Sequence, residues 1–238
     1  MQYTRLANES ADYLAQRERL QQAEIELMQH RERVAAMRRQ LPQGPVIQDY
    51  VFQEGPRDLD AGDGPVTIVR LSELFSGPGR ALAIYHFMYG KRQTSPCPMC
   101  TMWIDGFNGV AHHVAQNVDF VVAAAADPAT LRAHARTRAW RGLRLLSCGD
   151  STFKYDLGSE DAEGNQDSTI SVFTRSADGT LRHFYTSHPR MSEHIDQRGL
   201  DLLCPVWHFL DLTLEGRKDW YAELTYPKGE TEQAAATR

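Results

Sequence analysis

Two cysteines three positions apart, Cys97 and Cys100, lie in the stretch TSPCPMCTMWIDGF that begins at Thr94. Such a pair serves as a redox-active dithiol, as half of a metal site, or as two inert packed thiols. With Cys97 at the N-cap of a helix, Pro98 takes the first helical position, where its missing N–H costs nothing. Cys100 then falls on the same helical face, where a disulfide closes without large backbone movement. Free N–H groups and the positive end of the helix dipole favour the Cys97 thiolate. Lys91 and Arg92 in the preceding loop would add to that effect. Exposed Cys97 is thus the expected nucleophile, attacking a disulfide or a peroxide, and inward-facing Cys100 the resolving thiol. Structural zinc would need two further ligands. His112 and His113 follow Cys100 after eleven and twelve intervening residues, but the next histidine is His134, and His183, His188 and His194 show no ligand spacing. No metal and no bound organic cofactor is expected.

Other residues near the pair are weighed against plain packing roles. Tyr85, His86 and Tyr89 flank the strand end that faces the dithiol, so His86 and Tyr89 are supporting candidates. His86 would shuttle a proton or raise the thiolate population; the alternative is a buried histidine held by one hydrogen bond. Trp103, on the dithiol helix, is a candidate for facing substrate, with core packing as its default along with Phe107. Asp105 reads as a capping or solvated carboxylate. Cys148, in LLSCGD after a strand, is a candidate third thiol because loops at strand C-termini surround the ligand crevice of open α/β sheets. Cys204, in an apolar run, reads as core.

The elements that must hold these residues follow from periodicity. ALAIYHF (81–87) and VDFVVAAAA (118–126) are buried-strand candidates, VTIVRL (66–71) and LRLLS (143–147) shorter ones. A helix is expected from Cys97 to about Gln116, strained or broken near Gly106 and Gly109. A second runs from the N-cap Asp127 with Pro128 behind it to about Trp140. TISVFTRSADGTLRHFY reads as a hairpin turning at Asp178-Gly179, and LDLLCPVWHFLDLT as a closing helix. The segment from about Ser10 to Gln40 lacks Gly and Pro, and Leu20, Leu27, Val34 and Leu41 recur every seven residues. It predicts an amphipathic helix that lies on its own domain or a partner's surface, or pairs with a second copy as a homodimer. The order predicts an α/β fold with a mainly parallel sheet and helices on both faces, the late hairpin making the sheet mixed. Three segments follow: a helical N-terminus (1–45), an α/β domain (46–230) and a disordered tail (231–238).

Composition sets the outer limits. The 238 residues carry a net charge of −5 at pH 7, so no global basic field draws nucleic acid or an anionic membrane. No secretory signal and no run of roughly 18 apolar residues is visible, and four cysteines are too few for a disulfide scaffold. The expected compartment is the cytoplasm, where a close cysteine pair is catalytic or metal-binding more often than structural.

Taken together, IYHFMYG, CPMCTMWIDGFNGVAHHVAQ, RAWRGLRLLS, STFKYDLG, ISVFTR, RHFY and PVWHFLDLTLEGRKDWYAELTY resemble the thioredoxin-like bacterial family of predicted dithiol-disulfide oxidoreductases, long catalogued as a domain of unknown function. The resemblance runs from about Ser10 to Tyr226. It implies a thioredoxin-like fold, three-layered α/β/α with a mixed central sheet, and redox chemistry at Cys97 and Cys100 with a thiol or disulfide substrate and a reducing thiol donor. Two departures stand out. Asp167-Ser168-Thr169-Ile170 holds no proline where thioredoxins keep a cis-proline facing the dithiol. The loop between Phe87 and Cys97 is longer than in thioredoxin and is reminiscent of the peroxiredoxin-like branch, in which Cys97 would be peroxidatic and Thr94 a supporting candidate. Peroxide reduction is therefore a second form of the expected activity. A non-catalytic binding module on the same scaffold is the alternative.

Overall fold

Apolar runs pair edge to edge into one mixed sheet. The computed structural model describes residues 6–188 and 203–226, and in it seven strands lie in the order β2-β1-β5-β4-β3-β6-β7. They are β1 (Val51–Glu54), β2 (Thr67–Arg70), β3 (Ala81–Phe87), β4 (Val118–Ala124), β5 (Arg144–Ser147), β6 (Ile170–Arg175) and β7 (Leu181–Ser187). The helices are α1 (Ala11–Arg39), α2 (Pro98–Val114), α3 (Pro128–Arg138), α4 (Phe153–Asp156) and α5 (Pro205–Asp211), with a 3₁₀ turn at Leu71–Leu74. β3, β4 and β5 run parallel, whereas the β3–β6, β6–β7, β1–β5 and β1–β2 pairings are antiparallel. This is the thioredoxin-like arrangement. The strand that leads into the dithiol helix has a parallel neighbour on one side and an antiparallel pair on the other.

The two crossovers, β3–α2–β4 and β4–α3–β5, step along the sheet in one direction, so α2 and α3 share a face. One core cluster joins Tyr85, Phe87, Val122, Ala124 and Leu145 to Trp103, Ile104 and Phe107 of α2 and to Leu131 and Ala135 of α3. The opposite face carries Leu82, Ile84, Val121, Ala123, Leu146 and Phe173, covered by Phe153 of α4 and by Leu71, Leu74 and Phe75 at the 3₁₀ turn. The strand alternation of period two separates these sets cleanly. The layers are consequently unequal: long helices on one side, one short helix and loops on the other.

The sheet is mixed as expected but not mainly parallel, since four of the six strand pairings among the described residues are antiparallel, and two element readings also change. α2 runs unbroken through Gly106 and Gly109. Each glycine costs roughly 1 kcal/mol of helix propensity against alanine, which the burial of Trp103, Ile104 and Phe107 on the same helix outweighs at roughly 1.5–3 kcal/mol per large side chain. The closing helix spans only Pro205–Asp211; part of the stretch expected to form it, together with His194 and the expected tail 231–238, lies outside the described residues.

The chain divides into two compact units, residues 1–43 and 44–238. The first is α1, capped by Ser10, whose hydroxyl accepts from the Tyr13 N–H at 3.1 Å. It buries none of its residues: Leu20 and Leu27 are 59% and 51% exposed. Apolar residues are spread around the helix more evenly than the seven-residue repeat implies. No helix among the described residues is long and apolar enough to cross a membrane.

Candidate functional site

The loop that delivers the cysteines is fastened before the chemistry begins. Beyond the end of β3, the Met88 carbonyl accepts from the Cys97 N–H (3.1 Å) and the Tyr89 carbonyl from the Ala126 N–H (2.9 Å). Gly90 turns the chain with φ +96°, and a Cβ there would lie 2.0 Å from the Ala126 nitrogen, so only glycine fits. Beneath the loop, the buried Lys154 ammonium donates to the Phe87 carbonyl (2.9 Å) and to Gln166 Oε1 (2.6 Å), while Gln166 Nε2 donates to the Gly90 carbonyl (2.7 Å).

Cys97 then stands at the N-cap of α2 with Pro98 behind it, and its sulfur accepts from the Cys100 N–H at 3.5 Å. The Cys100 side chain is wholly buried and both thiols are free. The Cys100 thiol donating to the Cys97 sulfur, helped by backbone N–H groups of the first turn, brings the Cys97 pKa down to about 7 against the opposing effect of partial burial. Burial pushes Cys100 well up, and the bond it gives to Cys97 adds to that. The electrostatic division between the sulfurs is therefore steep: one ionises near neutrality, the other stays protonated beside it.

The proposed supporting residues separate into two groups. Tyr89 packs on the dithiol side beside Phe87 and His134. Trp103 is buried edge-to-face with Tyr85 at 6.2 Å and is a core residue rather than a substrate-facing one. Thr94 is exposed, in the loop three residues before Cys97. His86 and Cys148 are not brought to the dithiol. His86 follows Tyr85 on β3 and so points to the opposite face, where its ring stacks on Phe153 (4.8 Å) and its Nδ1 meets Ser159 Oγ at 2.6 Å. Burial holds its pKa well below the ordinary histidine value. Cys148 lies in the same opposite cluster, its thiol donating to the Ala124 carbonyl at 3.2 Å, and burial pushes its pKa up to about 11. That is an inert thiol. Lys91 and Arg92 do not supply positive charge to Cys97, since Lys91 pairs with Glu160 (2.7 Å) and Arg92 donates to the Glu163 carbonyl (2.6 Å). A zinc site shared by the cysteines and His112 or His113 is ruled out by length, because fifteen residues of helix at 1.5 Å each set them roughly 20 Å apart. Asp105 receives the Trp140 indole N–H (2.7 Å) and pairs with Arg138, which makes it a tie between α2 and the end of α3.

Three residues near the sulfurs were not among the supporting candidates read from the sequence. Tyr85 points to the dithiol face and lies against Cys100. Ser168 and Asp167 enter from the loop before β6, and the Asp167 charge acts on Cys97 and raises its pKa. Asp167 Oδ2 is 2.7 Å from His188 Nε2. Removing that negative charge with Asp167→Asn is expected to lower the Cys97 midpoint by about a few tenths of a unit. The pH dependence of Cys97 alkylation measures it, and an upward shift would show that Asp167 acts through structure instead.

Solved structures that resemble this chain include AhpC of Enterococcus faecalis (13% identity, TM-score 0.46, covering 68% of this chain and 87% of that one). They also include the mitochondrial 2-Cys peroxiredoxin of Plasmodium falciparum (12%, 0.46, 68% and 90%) and AhpC of Mycobacterium bovis (16%, 0.45, 76% and 98%). No curated protein matches the chain. One family model, described as bacterial protein of unknown function (DUF899), matches residues 2–232, and with nearly its whole length matched, the chain belongs to that family.

Proposed function

We propose that the chain is a thiol-disulfide oxidoreductase that works through the Cys97–Cys100 dithiol. The supporting observation is the pair itself: a half-buried sulfur at a helix N-terminus, ionising at about 7, hydrogen-bonded by a buried thiol that does not. Cys97 thiolate attacks one sulfur of a substrate disulfide, forming a mixed disulfide and expelling one thiolate. Cys100 displaces the second, leaving Cys97–S–S–Cys100 and two reduced substrate thiols. A reducing thiol donor then restores the dithiol. With a peroxide, Cys97 would become a sulfenic acid as the alcohol or water departs, and Cys100 would condense with it, releasing water. A homodimer through α1 belongs to the same proposal, the second copy covering the exposed Leu20 and Leu27. The absence of proline in Asp167–Thr169 favours a second reading, a non-catalytic binding module on the same scaffold. A coupled assay offering a disulfide and a peroxide in parallel to wild type, Cys97→Ser and Cys100→Ser separates the readings. The dithiol reading expects loss of turnover in both variants, and unchanged rates in both would refute it.

A further inference from the structure

Tyr85 is a buried side chain with an unused donor. Its ring is fixed edge-to-face against Phe107 (5.3 Å) and Trp103 (6.2 Å), on the face of β3 that carries the dithiol. Its hydroxyl is sealed from solvent and has no hydrogen-bond partner among the described residues, although it faces the Cys100 thiol and Ser168. A buried hydroxyl left unpaired is costly, so natural cores seldom keep one without a use. In the reduced state the reason is plain: the Cys100 thiol already donates to Cys97, and a neutral thiol is a poor acceptor.

We infer that Tyr85 is the donor that stabilises the Cys100 thiolate during resolution of the mixed disulfide. This rests on the dithiol reading above and adds a role to the second step. Once Cys97 is bonded to a substrate sulfur, it no longer attracts the Cys100 proton. Cys100 must then ionise inside an apolar pocket, where a thiolate is poorly tolerated. The phenol, itself held protonated by burial, meets at that moment an anionic sulfur, a far better acceptor than a thiol. The hydrogen bond exists only in the reacting state, which is the condition for an interaction to speed a step rather than tighten the ground state. Bonds and charges balance without tyrosine chemistry. Cys100 gives its proton to solvent, its thiolate attacks the Cys97 sulfur, the Cys97–substrate S–S bond breaks, and the departing thiolate carries away the charge. Tyr85 keeps its proton throughout.

The test uses Tyr85→Phe, which removes one oxygen and keeps the ring. Reduced wild type and variant are mixed with an aromatic disulfide whose released thiolate is coloured. Cys148 and Cys204 are buried, so two successive releases report Cys97 attack and Cys100 resolution. The expected result is a first release within about twofold of wild type and a second slowed roughly tenfold, its pH midpoint moved up by about one unit. Thermal unfolding of the reduced variant is expected at the wild-type temperature or above, because the lost hydroxyl had no partner. A second release unchanged in rate and pH profile overturns the inference alone, as does a first release lost along with the second. Absence of any first release in wild type overturns it together with the dithiol reading.

Discussion

Serine at position 97 is expected to lower turnover on the order of a thousandfold or more with whichever oxidant the wild type accepts. A serine hydroxyl is not ionised near neutrality, and oxygen cannot form the disulfide on which the cycle depends. No other thiol can take over. Cys100 is wholly buried and its pKa is pushed well up by that burial, while Cys148 and Cys204 are also buried and Cys148 lies on the far face of the sheet. Cys100→Ser is expected to differ in kind. It leaves the first attack in place and stops the cycle there, so the substrate remains attached and intact mass shows one adduct at Cys97. Steady-state rates of both variants, with the mass of the trapped species, decide the matter. Wild-type rates in both would remove the dithiol from the mechanism.

Lys154→Ala is expected to destabilise the reduced protein by about 2–4 kcal/mol. The substitution strips the donor from the Phe87 carbonyl and from Gln166 Oε1, both in the framework under the dithiol loop, and opens a void where a long side chain was buried. Opposing this, the buried ammonium is itself a burden, and desolvation lowers its pKa. Lys154→Met separates the effects by filling the space with no donor and no charge. The sign of the pH dependence follows from the direction of the shift. Below the folded-state value, lysine is charged in both states and its desolvation cost is complete. Between that value and the ordinary lysine range near 10.4, the unfolded chain binds more protons than the folded one, so wild type gains stability on Lys154→Met as pH rises. Denaturant unfolding across alkaline pH measures this. A wild type that loses stability relative to Lys154→Met as pH rises would contradict it.

The local part of this architecture was legible because local rules set it. Pro98 behind Cys97 and Pro128 behind Asp127 mark helix starts from two residues each, and both helices begin there. ALAIYHF is mostly apolar and becomes β3 with the expected bounds. What the sequence could not carry was the choice of face. Tyr85 and His86 are neighbours of similar polarity, and a strand sends them to opposite sides; only the packing of α2 decides which side holds the sulfurs. Cys148 is expected near the dithiol because it follows the C-terminal end of a strand, but its side chain joins the cluster on the opposite face. Lys154 and Gln166 reach the loop across 67 and 76 residues of sequence, from a four-residue helix and a turn that no periodicity announces. The seven-residue leucine repeat in α1 was visible, but it describes a helix that buries nothing within its own unit.

The central claim is that the fold ionises Cys97 and leaves Cys100 protonated. It is tested most directly by the pH dependence of alkylation of the fully reduced wild type, with the modified residue identified by peptide mass. The account expects Cys97 alone to react, with a midpoint at about 7. Modification of Cys100 first, or a Cys97 midpoint at or above the free-cysteine value of roughly 8.5, would contradict it.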